Sequence, residues 1–130
     1  MGRFLAQLGV AAVVMGVADG AWLGTMGNRF YRRRLGGLMR ARPDAVAAGA
    51  FYVLYLVAAV LLVVRPGEAL GWTSWEIAGM GALLGAAAYG TYDLTNRATL
   101  TVFPWSLALV DLAWGTVLTA AVTGLTAGLI

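Results

Sequence analysis

An all-α fold, a four-helix bundle set in a membrane, is what this sequence predicts, and three observations carry the prediction. The chain of 130 residues is 61% hydrophobic and only 12% charged, where a soluble domain carries roughly 25% charged residues. Its mean hydropathy is +0.80. Apolar runs close to the roughly 20 residues that cross a bilayer recur along it, separated by short polar segments. That length suits one small transmembrane domain, with no separate soluble part. Cys and His are both absent, which removes disulfides, thiolate metal sites, the commonest general base and the commonest transition-metal ligand. No metal and no cofactor are expected, and a self-sufficient enzyme is disfavoured.

The elements follow in order. The first span runs over about 4–27, and its apolar pattern continues past Asp19 to Met26, which predicts an uncleaved helix rather than a signal peptide. A polar loop is expected over 28–44. The second span covers about 45–64, and Arg65-Pro66-Gly67 is expected to close it, because Pro and Gly do not continue a helix. Thr73-x-x-Glu76 fits a capping box and introduces the third span, about 75–92. Asp93–Phe103 reads as a polar turn. Pro104 suits a first helical position, and the fourth span covers about 105–128.

Arg counts set the orientation. The 28–44 segment carries Arg29, Arg32, Arg33, Arg34, Arg40 and Arg42, and the 93–104 segment carries Arg97; the other side has only Arg3 and Arg65. Both termini are therefore expected on the non-cytoplasmic side. Phe30 and Tyr31 among the arginines invite a nucleic-acid reading by base stacking. A short loop between two spans is better explained as a topology determinant that touches anionic lipid headgroups through Arg29–Arg42, and no nucleic-acid partner is expected.

The motif D-x-A-W occurs twice, at Asp19-Gly20-Ala21-Trp22 and at Asp111-Leu112-Ala113-Trp114, and Asp111 is the only ionisable side chain between Trp105 and Ile130. A charge at bilayer depth costs about 2.5–3.5 kcal/mol on insertion scales, so such groups face the bundle interior or mark a function. Asp19 lies about eight residues before the end of its span, or roughly 12 Å. Asp111 lies about six residues into its own, or roughly 9 Å. Tyr52, Tyr55, Tyr89, Tyr92 and Asp93 fall in the same layer. Asp19 and Trp22 share a helix face, as do Asp111 and Trp114. Arg97, four residues after Asp93, is placed to pair with Asp93, Asp19 or Asp111. With Arg97 serving one of them, another carboxylate stays without a cation; desolvation favours its neutral form, and a titrating acid at that depth is what a proton-coupled carrier needs. The alternative is a satisfied hydrogen-bond network of acid, Tyr and Asn side chains that only locks the bundle. For Asp93, near the interface, that structural reading is preferred. For Thr116, Thr119 and Thr123 the preferred reading is back-bonding to their own helix.

Gly16-x-x-x-Gly20-x-x-x-Gly24 and Gly81-x-x-x-Gly85 form smooth stripes that let helix backbones approach in lipid. A packed neighbour is therefore expected beside Asp19, from the same chain or from a second copy.

At Tyr92-Asp93-Leu94-Thr95-Asn96 and Asp111-Leu112-Ala113-Trp114-Gly115-Thr116 the chain resembles a family of small bacterial four-span inner-membrane proteins of unknown function. The resemblance implies a multi-pass protein of the bacterial inner membrane. It supplies no activity, cofactor or catalytic residue. Gene neighbours concerned with fatty-acid modification in that family suggest a lipid-linked role.

Three functional readings follow. The first is a small carrier or ligand-binding protein, working as a homodimer, whose proton-titratable site comprises Asp19, Trp22, Tyr52, Asp93, Asn96, Arg97, Asp111 and Trp114 in the cytoplasmic half. The second is a non-catalytic subunit of a larger lipid-modifying or bioenergetic membrane complex. The weakest is a lipid-modifying enzyme using Asp19 and Asp111 as acid and base, since it would lack His, Cys and a metal cluster.

Overall fold

The structure, a computed structural model, describes residues 1–130. It is entirely helical, with four long rods and no strand. The first rod joins α1 (Gly2–Met26), a π-helical turn (Gly27–Tyr31) and α2 (Arg32–Leu35). The second joins α3 (Ala45–Ala59), another π turn (Val60–Val64) and α4 (Arg65–Ala69). The third and fourth are α5 (Ser74–Thr99) and α6 (Trp105–Leu129). Three of these, Gly2–Leu38, Ala45–Ala69 and Trp105–Leu129, are long and apolar enough to cross a membrane. The outward faces carry Val13, Val17, Leu54, Leu62, Leu83 and Val117, all more than half exposed. A surface this apolar on a thin bundle is one built to meet lipid.

The rods outrun the apolar runs in three places. The segment expected as a loop from residue 28 stays helical to Leu38, because nothing in it breaks a helix before Gly36. Gly36 stops the α-helix at φ +56°, a left-handed conformation that glycine adopts without strain. Arg65-Pro66-Gly67 does not close the second rod. There the Arg65 N–H bonds back to the Val60 carbonyl, and this widened turn moves away the carbonyl that a proline ring meets four residues back. Asp93–Thr99 is helical as well, so the last connection shrinks to residues 100–104. Asp44 caps α3 by accepting from the N–H groups of Val46 (3.0 Å) and Ala47 (3.1 Å). The expected capping box forms at Thr73 and Glu76. Pro104 stands one position earlier than expected, as the N-cap of α6.

Packing is closest between α5 and α6. A Cβ on Gly81 would sit 2.8 Å from the Thr119 carbonyl oxygen, and one on Gly85 would sit 2.7 Å from Thr119 Oγ1. Gly115 returns the favour, since its missing side chain leaves room for the Tyr89 ring. Thr116, Thr119, Thr123 and Thr126 each donate to the carbonyl four residues back, at 2.6–2.8 Å, as expected of hydroxyls in a buried helix. The central core joins Ala11, Met15, Tyr55, Val60, Leu118 and Val122. The Gly16, Gly20 and Gly24 stripe behaves otherwise: nothing in the chain lies within 4 Å of where their Cβ atoms would be. The neighbour expected there does not come from this chain.

A polar latch closes the end of the bundle where α1 begins and α4 ends. Arg3 Nη2 meets Glu68 Oε1 at 2.9 Å. Gln7, fully buried, donates to Glu68 Oε2 at 2.9 Å and accepts from Arg65 Nη1 at 3.2 Å.

Candidate functional site

The opposite end holds the two D-x-A-W turns, and helix directions explain why they meet. The first rod runs toward this end and α6 runs away from it, so Asp19 and Asp111 reach one level from opposite directions. Their indoles stack face to face, with Trp22 and Trp114 centroids 4.4 Å apart and the planes 4° from parallel.

Each indole serves the other helix's acid. Trp114 Nε1 donates to Asp19 Oδ1 at 3.0 Å. Trp22 Nε1 donates to the Tyr31 hydroxyl at 2.8 Å, which donates in turn to Asp111 Oδ1 at 2.7 Å. The hydrogen bonds are therefore crossed, each indole N–H serving the acid of the other helix, directly or through Tyr31. Tyr52, on α3, donates to Asp19 Oδ2 and completes that carboxylate.

Tyr31 is the site residue that sequence reasoning missed. On an unbroken α-helix, nine residues at about 100° each put Tyr31 opposite Trp22. The π turn at Gly27–Tyr31 accommodates one extra residue, and so takes back about 100° of that rotation. Only the widened turn lets the phenol reach inward.

Asp93 departs furthest from expectation. It is fully buried, and neither carboxylate oxygen has a hydrogen-bond partner. Its neighbour is the carboxyl of Asp111. No N–H and no Tyr, Ser or Thr hydroxyl reaches it, so the hydrogen-bonding group it faces is another acid. Arg97 pairs with none of the acids: its Nη1 donates to the Phe103 carbonyl at 3.2 Å, and its guanidinium lies 5.2 Å over the Trp105 ring. Leu100–Pro104 is short, and α6 starts within reach, so Arg97 turns outward along its own helix end. Asn96, half-buried near Tyr92, bonds to neither Asp19 nor Asp111. The structure thus joins Asp19, Trp22, Tyr52, Asp93, Asp111 and Trp114 with Tyr31, and leaves Arg97 and Asn96 outside.

Three buried or half-buried carboxylates converge here from three rods with no cation in contact, since the chain's one ion pair lies in the distant latch. Beside Asp111 a cavity of about 400 Å³ is lined by Phe51, Ala88, Tyr89, Tyr92 and Asp111. Chemically, the layer offers proton or cation acceptors among phenol and indole donors. It holds no grouping of acids suited to grip a metal ion.

Comparison with known proteins agrees with this membrane architecture. Residues 4–128 match the family described as "Predicted membrane protein (DUF2177)". The chain belongs to that family of predicted membrane proteins of unknown function, and its long apolar helices suit a multi-pass membrane protein. No curated protein and no solved structure matches it.

Proposed function

We propose that this membrane protein is a small carrier or ligand-binding protein whose acid and indole layer takes up a proton or another cation. One observation carries the reading: Asp93 is buried with only the Asp111 carboxyl beside it, and no guanidinium approaches either. In a low-dielectric setting a group left like this is costly, and structural acids are usually paired. The cost is readily understood when a mobile cation is the missing partner. By the distribution of Arg in the loops, the layer lies in the cytoplasmic half of the bilayer and both termini lie outside, with Arg29–Arg42 against anionic headgroups.

The groups facing the acids make the reading measurable. Asp19 meets Trp114 and Tyr52, Asp111 meets Tyr31 and Asp93, and both indoles are wired to an acid. With Trp72, Trp75 and Trp105 replaced by Phe, only Trp22 and Trp114 emit. Their emission should then change reversibly with pH in the parent and lose that response in Asp93→Asn and Asp111→Asn. A response that is absent from the parent, or identical in all three proteins, removes the reading.

A second reading, as a subunit of a larger membrane assembly, is favoured by the open Gly16, Gly20 and Gly24 stripe, a surface suited to a further helix. Gentle detergent extraction separates the cases. Recovery at fixed ratio with an unrelated membrane protein supports a subunit, and recovery as a homodimer or monomer supports an independent carrier.

A further inference from the structure

The cavity beside Asp111 has a composition that selects for ligand chemistry. Its walls come from α3 (Phe51), α5 (Ala88, Tyr89, Tyr92) and α6 (Asp111). Asp111 is the only charged group among them. It accepts from Tyr31 through Oδ1, and its carboxyl adjoins that of Asp93. The remaining walls are three aromatic rings and a methyl, and ring faces carry the negative end of the π quadrupole.

The rings are held in place before any ligand arrives. Phe51 stacks on Tyr55 with centroids 5.2 Å apart, and Tyr92 meets Phe103 edge-on at 5.9 Å. Phe51 is 44% and Tyr92 55% exposed, so both stand at the mouth, on the bundle's outer apolar surface. A ligand enters from the bilayer side.

Size and charge narrow the class. A volume of about 400 Å³ falls among ligand pockets of roughly 300–1,000 Å³. An anion would face Asp111 with Asp93 behind it. A hard metal ion needs several oxygen ligands and finds one carboxylate among rings. A cation with an apolar body meets both the Asp111 carboxylate and the ring faces.

We infer that this chamber binds a monovalent organic ammonium with an apolar body, its charge on Asp111 and its body against Phe51, Tyr89 and Tyr92. The inference rests on the acid-layer reading above and adds the class of ligand to it.

Titration calorimetry on the full chain in lipid nanodiscs tests it, with empty nanodiscs subtracted. The probe is benzyltrimethylammonium, compared with neopentylbenzene, its neutral carbon counterpart. The ammonium should bind and the neutral counterpart should not compete. Asp111→Asn should weaken binding at least about tenfold. Tyr92→Leu, changed at the exposed mouth where no core is opened, should weaken it about threefold, and it decides the matter if Asp111→Asn does not fold. Equal binding of the two probes, no binding, or equal affinity in the parent and in each folded variant overturns the inference. Indoles that respond to pH in a protein that takes up no benzyltrimethylammonium overturn the inference and leave the acid-layer reading standing. Selective, Asp111-dependent binding without a pH response supports the chamber and removes the proton from that reading.

Discussion

At one end of the bundle Arg3, Gln7, Arg65 and Glu68 tie the first rod to the second; at the other, Asp19, Asp111, Tyr31, Tyr52 and the two indoles tie the first rod to the second and the fourth. Both clusters join distant parts of the chain through polar contacts, and their charges are arranged in opposite ways. The latch pairs Arg3 with Glu68 and seats Gln7 between Glu68 and Arg65, so that its principal groups find partners. The acid layer gathers three carboxylates with no guanidinium, and leaves Asp93 facing only the carboxyl of Asp111. The same chain contains both solutions, so the missing cation is not a limit of the fold. A cluster needed only to hold helices together is built like the latch. The other gathers acids with no cation among them.

Substitutions can break or sharpen that contrast. The largest effect is expected at Asp93, where Leu repeats the branching of Asp with methyls for oxygens. Asp93→Leu should raise the unfolding free energy by about 1–4 kcal/mol, measured by equilibrium unfolding in mixed micelles. A loss of stability instead would make Asp93 a structural acid like Glu68 and collapse the comparison. Next comes Tyr31→Phe, which strips Asp111 and Trp22 of their shared partner and should lower stability by about 1.5–3 kcal/mol. Its indole emission should also shift, because the Trp22 N–H is left unbonded. In the latch, Gln7→Leu should cost about 1–3 kcal/mol by leaving buried polar groups unmatched, with the pH response of the indoles retained. The smallest effect belongs to Arg3→Ala. The Arg3 side chain is 52% exposed, so its ion pair with Glu68 contributes about 0–1 kcal/mol, and the difference should fade as salt is added.

Much of this was legible in the sequence, and the exceptions share a cause. Apolar length announced four helices, Thr73 and Glu76 announced a cap, and the repeated D-x-A-W motif placed two acids and two indoles in one layer. Gly81 and Gly85 were read correctly as a packing stripe, whereas Gly16, Gly20 and Gly24 have the same spacing and meet nothing in the chain. Spacing shows that a surface is smooth, and only the neighbouring helix decides whether it is covered. Tyr31 was hidden because the π turn changes the angular register by about one residue, and reading faces at 100° per residue assumes that no such turn occurs. The continuation of the second rod through Pro66 has the same origin, a widened turn that periodicity does not register. Arg97 stands one turn from Asp93, so sequence distance offers it as a partner for one of the acids, and the carbonyl of Phe103 with the ring of Trp105 takes the guanidinium instead.

The stacked indoles have a consequence for how the molecule absorbs light. Two chromophores with centroids 4.4 Å apart and planes 4° from parallel share their excited states instead of acting as independent absorbers. Such a dimer can give an exciton couplet in far-ultraviolet circular dichroism, from the strong indole band, whose size falls steeply with separation and depends on how the rings are turned in their planes. Because one ring rides on the first helix and its mate on the last, the couplet is a label-free gauge of the distance between the two ends of the chain's path through the bilayer.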